Sequence, residues 1–363
     1  MQVNHVYCGD SAEVLKRFPD NSVDSVVTDP PYELGFMGKS WDRTGIASSV
    51  ELWAEVLRVL KPGGHLLSFG GTRTYHRMAS AIEDAGFEIR DQLQWLYGTG
   101  FPKSVDISKA IDKHFGAERT EGAREWRGGQ RTGGIIGTEK TNLGTNTRVI
   151  YDVPATFEGA KWQGWGTALK PANEPIILAR KPLSEATVAE NVLRWGTGGL
   201  NIDGCRLPIG RFPANVLLDE EAAAMLDEQS GEGRSTVGKV RGGGRSGGIM
   251  GKHVERSDKY LPYGYNDSGG ASRFFYVAKA SRRERTHNGQ VDNKHPTVKP
   301  IKLMEYLVTL ITPPGGIVLD PFCGSGSTLL AARNLGFNYI GIDREQEYVE
   351  LTNQRLQATG NNP

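Results

Sequence analysis

The chain has 363 residues, room for one large domain carrying an insertion or for two domains. Apolar residues make up 38% and charged residues 23%, the balance of a soluble globular protein. Forty-three Lys and Arg against 42 Asp and Glu leave a formal charge of +1, so net charge selects no class of partner and only its distribution can. No run of 18 apolar residues occurs, and the start, MQVNHVYCGD, lacks a basic-then-apolar leader, so no membrane association and a cytoplasmic location are expected. Cys8, Cys205 and Cys323 are few, odd in number and far apart, so no disulfide framework can be read from them, and neither they nor the seven histidines, His287 and His295 among them, have the spacing of a metal site.

From the start to about residue 102, strands alternate with helices. HVYC (5–8) reads as a strand and SAEVLKRF (11–18) as a short helix capped by Ser11. VDSVVTD (23–29) is a buried strand, ELWAEVLRVL (51–60) a helix and HLLSFG (65–70) a strand. RTYHRMASAIEDAG (73–86) is a helix closed by Gly86, and FEIRDQLQWLYG (87–98) a longer strand. Near the end the same grammar returns. KLMEYLVTLI (302–311) puts Leu303, Leu307, Leu310 and Ile311 on one helical face, followed by strand GIVLD (316–320), helix STLLAARNLG (327–336), strand NYIGID (338–343) and helix EYVELTNQRL (347–356). Strands separated by helices imply right-handed βαβ units, so both ends of the chain are expected to share one doubly wound, mostly parallel sheet.

The middle, about 103–294, breaks this pattern. Gly and Arg crowd 127–137 and 238–252, and no long period survives. EPIILARKP (174–182) and RFFYVAKA (273–280) read as strands, an expected antiparallel edge of the same sheet. Between Ser230 and Gln290, 12 Lys and Arg stand against 5 Asp and Glu, so basic charge is local, and Arg241, Arg245 and Lys252 are candidates for phosphate contacts. Phe36, Trp41, Trp162 and Trp165 lie in Gly-containing loops, where packing is the commoner use of an aromatic than base stacking; Phe36 and Trp41 follow the TDPPY turn and are placed to gate it.

Two strand ends carry chemistry. IVLDPFCGSGST (317–328) is a strand, a Gly-rich turn and a helix start, and Asp343 ends the next strand about twenty residues on. That order describes a nucleoside half-site, with the distal acid placed for ribose hydroxyls. After CGSG come Ser327, Thr328 and Leu329, so the third Gly of a dinucleotide turn is missing, and no Gly-Lys-Ser/Thr makes it a phosphate loop. Asp320 before the turn repels a pyrophosphate and attracts a cation. S-adenosylmethionine, with a nucleoside, an ammonium and a sulfonium, fits better than NAD or ATP. Cys323 follows Phe322 rather than Pro, which leaves it as small apolar packing rather than the nucleophile of a carbon methylation.

The other end is VVTDPPYELGF (26–36). Pro30 and Pro31 stiffen the turn and remove donors, leaving the Asp29 carboxylate and the Pro30 carbonyl as acceptors beside the Tyr32 ring. Any single Asp-Pro-Pro is more often just a hard stop. Two acceptors and a stacking face, however, suit the exocyclic amine of a base taken out of its stack. Hydrogen bonds accepted from that amine draw its nitrogen toward tetrahedral geometry and free its lone pair for a sulfonium methyl.

TDPPY (28–32) with DPFCGSGST (320–328) resembles the DNA amino-methyltransferases. The catalytic motif precedes the cofactor motif, and NKHPTVKPIKLMEYL (293–307) leads into the latter, an order similar to that of the β group. The resemblance covers about 1–105 and 290–356. It implies a Rossmann-like methyltransferase sheet: a catalytic half at 1–105, an inserted target-recognition region at 106–290, and a cofactor half at 291–363. It gives Asp29, Pro30, Pro31 and Tyr32 the catalytic pocket. S-adenosylmethionine would meet Asp10 at its adenine amine and Asp343 at its ribose. Asp29, Asp320, Phe322, Gly324, Ser325, Gly326, Ser327 and Thr328 would surround it, and Thr297 and Lys299 would close over it. Many relatives carry Glu where Asp343 stands.

The implied activity is methylation of adenine N6 in double-stranded DNA by base flipping, since the acid-first DPPY form is commoner among adenine enzymes; N4 of cytosine is the alternative. A homodimer, a separate restriction endonuclease and nucleoid association belong to the same implication. A nucleotide-dependent oxidoreductase would also use a Gly turn and Asp343, but it needs the missing Gly and has no use for TDPPY. A non-catalytic DNA-binding relative has no need of all of Asp29 to Tyr32.

Overall fold

A computed structural model of the chain describes residues 1–33, 44–100, 102, 104–127, 146–235, 238–240, 261–263, 267–278 and 298–359. Contacts divide the chain into two compact units, 99–172 and the remainder. The smaller unit contains a helix, Ile107–His114, and an antiparallel pair, Thr120–Arg127 with Asn146–Val153. Its helix is anchored by the buried Asp112 carboxylate, which takes an ion pair from Arg119 at 2.7 Å and backbone donors from Ala155 and Thr156 at 3.1 Å.

The larger unit is built on a nine-stranded sheet. Numbered within this unit, its strands are β1 (His5–Cys8), β2 (Val23–Thr28), β3 (Leu60–Phe69), β4 (Glu88–Leu96), β5 (Asn173–Arg180), β6 (Val216–Asp219), β7 (Tyr276–Ala278), β8 (Ile317–Asp320) and β9 (Asn338–Asp343). Their order is β1-β9-β8-β2-β3-β5-β4-β6-β7, parallel throughout except for β5. The expected doubly wound, mostly parallel sheet is therefore present. One expectation is corrected. The 174–182 strand is antiparallel but central, between β3 and β4, while the edge strand β7 runs parallel to β6. Ile176, Ile177, Leu178 and Ala179 are buried on alternate faces, which is possible only inside a sheet covered on both sides.

The covering helices follow the period-2 alternation of the strands. Val26 and Leu66 belong to one apolar cluster, with α1 (Ser11–Leu15), α2 (Val50–Val59) and α3 (Tyr75–Asp84). Val27 and Leu67 belong to the other, with α6 (Ile301–Ile311), α7 (Ser327–Asn334) and α8 (Gln346–Thr359). In α2 the buried Leu52, Trp53, Val56 and Val59 recur at helical spacing, and Ser49 caps the first turn on the Leu52 amide. The cap of α1 is Asp10 rather than Ser11, because its carboxylate accepts from Ala12 and Glu13 at 3.1 and 3.3 Å. Ser11 instead turns inward and donates to the Pro321 carbonyl.

The middle of the chain is more regular than its composition suggests. It adds α4 (Val188–Trp195), α5 (Glu220–Ser230) and the short β6 to this unit. Among the described residues no helix is long and apolar enough to cross a membrane. Trp53 is fully buried and its indole donates to the Ala47 carbonyl at 3.0 Å. Trp53→Ala should therefore cost about 3–5 kcal/mol, read as a lower urea midpoint at an unchanged slope.

Candidate active site

The two motif-bearing turns meet because β2 and β8 are neighbours, Leu319 opposite Val26. Thr28 at the end of β2 donates to Asp320 Oδ1 at the end of β8, at 2.7 Å across 292 residues of sequence. Going outward from β2, each of four adjacent strands ends in or just before an acid: Asp29, Asp320, Asp343 and Asp10. Parallel strands bring all four to the carboxyl edge of the sheet, where ligands of such folds bind.

The Gly-rich turn is held from behind by α8. Thr352 Oγ1 donates to the Gly324 carbonyl at 2.8 Å, and the fully buried Arg355 donates to the Ser325 hydroxyl at 3.0 Å and to its carbonyl. Gly326 sits at φ 80° before α7, and a Cβ there would lie 2.5 Å from Thr352 Cγ2, so only glycine fits. Ser327 Oγ is buried without a hydrogen-bond partner among the described residues, and Thr328 bonds to Asp320. Phe322 is half-buried, its amide donating to Asp320 Oδ1 at 3.1 Å.

Burial pushes the Asp320 carboxyl up to about 7, against the hydrogen bonds of Thr328, Thr28 and Phe322. Burial also raises Asp343, partly offset by the Glu345 and Gly324 amides at 2.9 and 2.8 Å. Asp10 lies beyond β1, its carboxylate engaged at the α1 cap. Burial likewise raises the Cys323 thiol well above its ordinary value, which leaves it protonated packing between β8 and β9. A carboxylate row with backbone donors suits an ammonium, hydroxyls and an amine, and disfavours phosphates; the chain's residues fit S-adenosylmethionine on that ground.

On the other side of Asp320 lies the TDPPY turn. Lys299, leading into α6, reaches it rather than the Gly-rich turn: its ammonium is 2.6 Å from Asp29 Oδ2, 3.1 Å from Glu174 Oε2 and 3.2 Å from Tyr32 Oη. Tyr32 in turn donates to Glu174 at 2.8 Å. The ammonium also lies 4.8 and 5.4 Å from the Phe69 and Tyr32 ring centres. Burial alone would lower the Lys299 pKa, but Asp29 and Glu174 outweigh it and hold it above its ordinary value. Burial, then the same two carboxylates, raise the Tyr32 phenol well above its own, so it stays a donor.

Asp29 Oδ1 is buried and has no hydrogen-bond partner among the described residues. On the Thr74 side of Tyr32 a small hollow, roomy enough for about one water, is lined by Pro31, Tyr32, Ala47, Gly70, Thr74 and Met78, among others. Thr74 fixes the turn by donating to the Tyr32 carbonyl at 2.7 Å.

Glu174 is the member that sequence reasoning missed; only its place at the head of an apolar strand marked it. Thr297, Phe36, Trp41, Arg241, Arg245, Lys252, His287 and His295 lie outside the described residues. Trp162 and Trp165 are on the smaller unit, 39% and 60% exposed and edge-to-face at 5.2 Å, so they are not core.

With this geometry, the chain defines a methyltransferase-type sheet whose two motif turns share one edge. It belongs to the DNA methylase family of N6 and N4 amino-methyltransferases, whose model matches residues 23–354. The type II methyltransferase M.HindIII of Haemophilus influenzae is 25% identical over 404 residues, covering 99% of this chain and 97% of that protein. Among solved structures, a complex of M1.HpyAVI with SAM has a TM-score of 0.44 at 19% identity, covering 97% of this chain and 98% of that one. The cytosine-N4-specific PvuII DNA methyltransferase has a TM-score of 0.49 at 15% identity, covering 99% and 91%.

The pH behaviour of Asp320 is testable. An unfolded carboxyl ionises near 3.9 and the folded one near 7, so the native state loses relative stability as pH rises between those values and none beyond them. Asn cannot ionise and keeps the Oδ1 acceptor. The melting temperature of Asp320→Asn relative to the unaltered protein should therefore climb from pH 5 to pH 8, by the equivalent of about 2 kcal/mol. A difference constant with pH would contradict the buried-carboxyl reading.

Proposed function

We propose that this DNA methyltransferase acts on the N6 amine of adenine in double-stranded DNA, with the target base turned out of the helix toward Asp29 and the Tyr32 ring. The observation that carries the reading is Asp29 Oδ1, a buried carboxylate oxygen without a partner among the described residues, near the Tyr32 side chain and a neighbouring half-site suited to a nucleoside. The acid-first form of the TDPPY turn supports adenine over N4 of cytosine. S-adenosylmethionine is the methyl donor; when bound, it supplies an electrophilic methyl whose departing bond leaves its electron pair on sulfur.

The chain's residues do the rest. Asp29 Oδ1 accepts a hydrogen bond from the amine, pulling its nitrogen out of conjugation, and the Tyr32 ring stacks on the base. As the nitrogen lone pair forms the new bond, positive charge grows on nitrogen, facing the carboxylate. Asp29 then takes the surplus proton and passes it to water. Asp10, Asp320, Asp343 and the turn from Phe322 to Thr328 hold the donor in line, which supplies much of the acceleration.

Duplex recognition falls in this reading to the inserted region about 106–290, including the smaller unit with its exposed Trp162 and Trp165 and the basic stretch beyond Ser230. A homodimer, a separate restriction endonuclease and a cytoplasmic, nucleoid-associated location complete it.

Asp29→Ala should abolish methyl transfer, by on the order of a thousandfold or more, while S-adenosylmethionine still binds. Turnover at the unaltered rate would remove the proposed pocket.

A further inference from the structure

The cluster around Lys299 does not balance its own charge. Two carboxylates, Asp29 and Glu174, face one ammonium, all three side chains at most one-fifth exposed. The three ammonium hydrogens meet three acceptors, Asp29 Oδ2, Glu174 Oε2 and Tyr32 Oη, so Lys299 has nothing further to give. Among the described residues one negative charge is left over, and the buried carboxylate oxygen of the cluster without a partner is Asp29 Oδ1. The segments that build the cluster are far apart in sequence: the turn after β2, the head of β5 and the lead into α6.

We propose that Glu174 is a positioning residue for methyl transfer: by sharing the Lys299 ammonium with Asp29, it keeps a full acceptor charge on Asp29 Oδ1 for the amine that becomes cationic. The inference rests on the reading of Asp29 given above. With Lys299 paired to Asp29 alone, the ammonium would cancel the charge that the reacting nitrogen needs. With Glu174 drawing on the same ammonium, the site holds a net single negative charge, the complement of the charge that methylation creates. Glu174 also takes the Tyr32 hydroxyl, which sets the ring plane against the base. The transfer keeps its balance of atoms: sulfur retains the pair of the broken bond, nitrogen supplies the pair of the new one, and the proton leaves through Asp29.

Among the described residues, the other ionisable groups facing the cluster are Asp320 on β8, which acts on Asp29, Tyr97 after β4, which faces Glu174 and Lys299, and Tyr32 itself. None is a second cation. Removing Lys299 therefore leaves two carboxylates together, a pair that takes up a proton rather than stay doubly charged.

The test compares Glu174→Gln, Lys299→Met and the double variant with the full-length protein, measuring kcat on DNA from pH 6.5 to 8.5 and cofactor affinity for each. Glu174→Gln should lower kcat by on the order of tenfold to a hundredfold with cofactor affinity unchanged. Lys299→Met should be slow at pH 6.5 and recover toward pH 8.5, and adding Glu174→Gln should raise its rate at pH 6.5 and flatten the profile. A double variant no faster than Lys299→Met at pH 6.5, or Glu174→Gln turning over like the unaltered protein, overturns the inference. If Lys299→Met does not fold, Glu174→Gln alone decides. Absence of any transfer by the unaltered protein would instead bring down the underlying reading.

Discussion

The pairing of β2 with β8, closed by the Thr28–Asp320 hydrogen bond, is the constraint on which the site depends. It joins residues from opposite ends of the chain and sets two motif turns side by side at one sheet edge. Because the strands are parallel, everything that follows them emerges at the same edge, and Asp343 and Asp10 extend the row. The chain order of the motifs is then immaterial to the chemistry. A donor half and an acceptor half need only adjacent strands, and the sheet supplies those whichever half is translated first.

Electrostatics divides the row into two kinds of acid. Asp320, buried and bonded to hydroxyls and an amide, is held near neutrality at about 7. Asp29 is bound to a buried ammonium through one oxygen and, among the described residues, has no partner at the other. The first arrangement answers to a cationic ligand that restores the charge. On the proposed reading, the second suits a donor that gains charge during the reaction. Neighbouring carboxylates thus acquire separate uses from their partners alone.

Much of this was legible in the sequence, for identifiable reasons. Helix 301–311 carries clean periodicity, and strands 23–28 and 317–320 are short apolar runs ending in the two turns, the pattern of strands buried on both faces. The antiparallel direction of β5 was expected, whereas its central place was not, although an apolar run with no alternation pointed to it. Helix α4 is marked in the sequence by Thr187 and Glu190, which form a reciprocal cap, and by Gly196 at its end. Glu174 could not be found from sequence, because an acid at a strand's head ordinarily faces water. Its meaning comes from Lys299, 125 residues away, arriving at the same point.

The most direct measurement is transfer of labelled methyl from S-adenosylmethionine to unmethylated genomic DNA, followed by digestion and mass analysis of the nucleosides. N6-methyladenine is the result expected here. N4-methylcytosine would keep the pocket and contradict the choice of base. No methylated nucleoside, with the cofactor still bound, would contradict the account of Asp29 and its open oxygen as an acceptor for a DNA base amine.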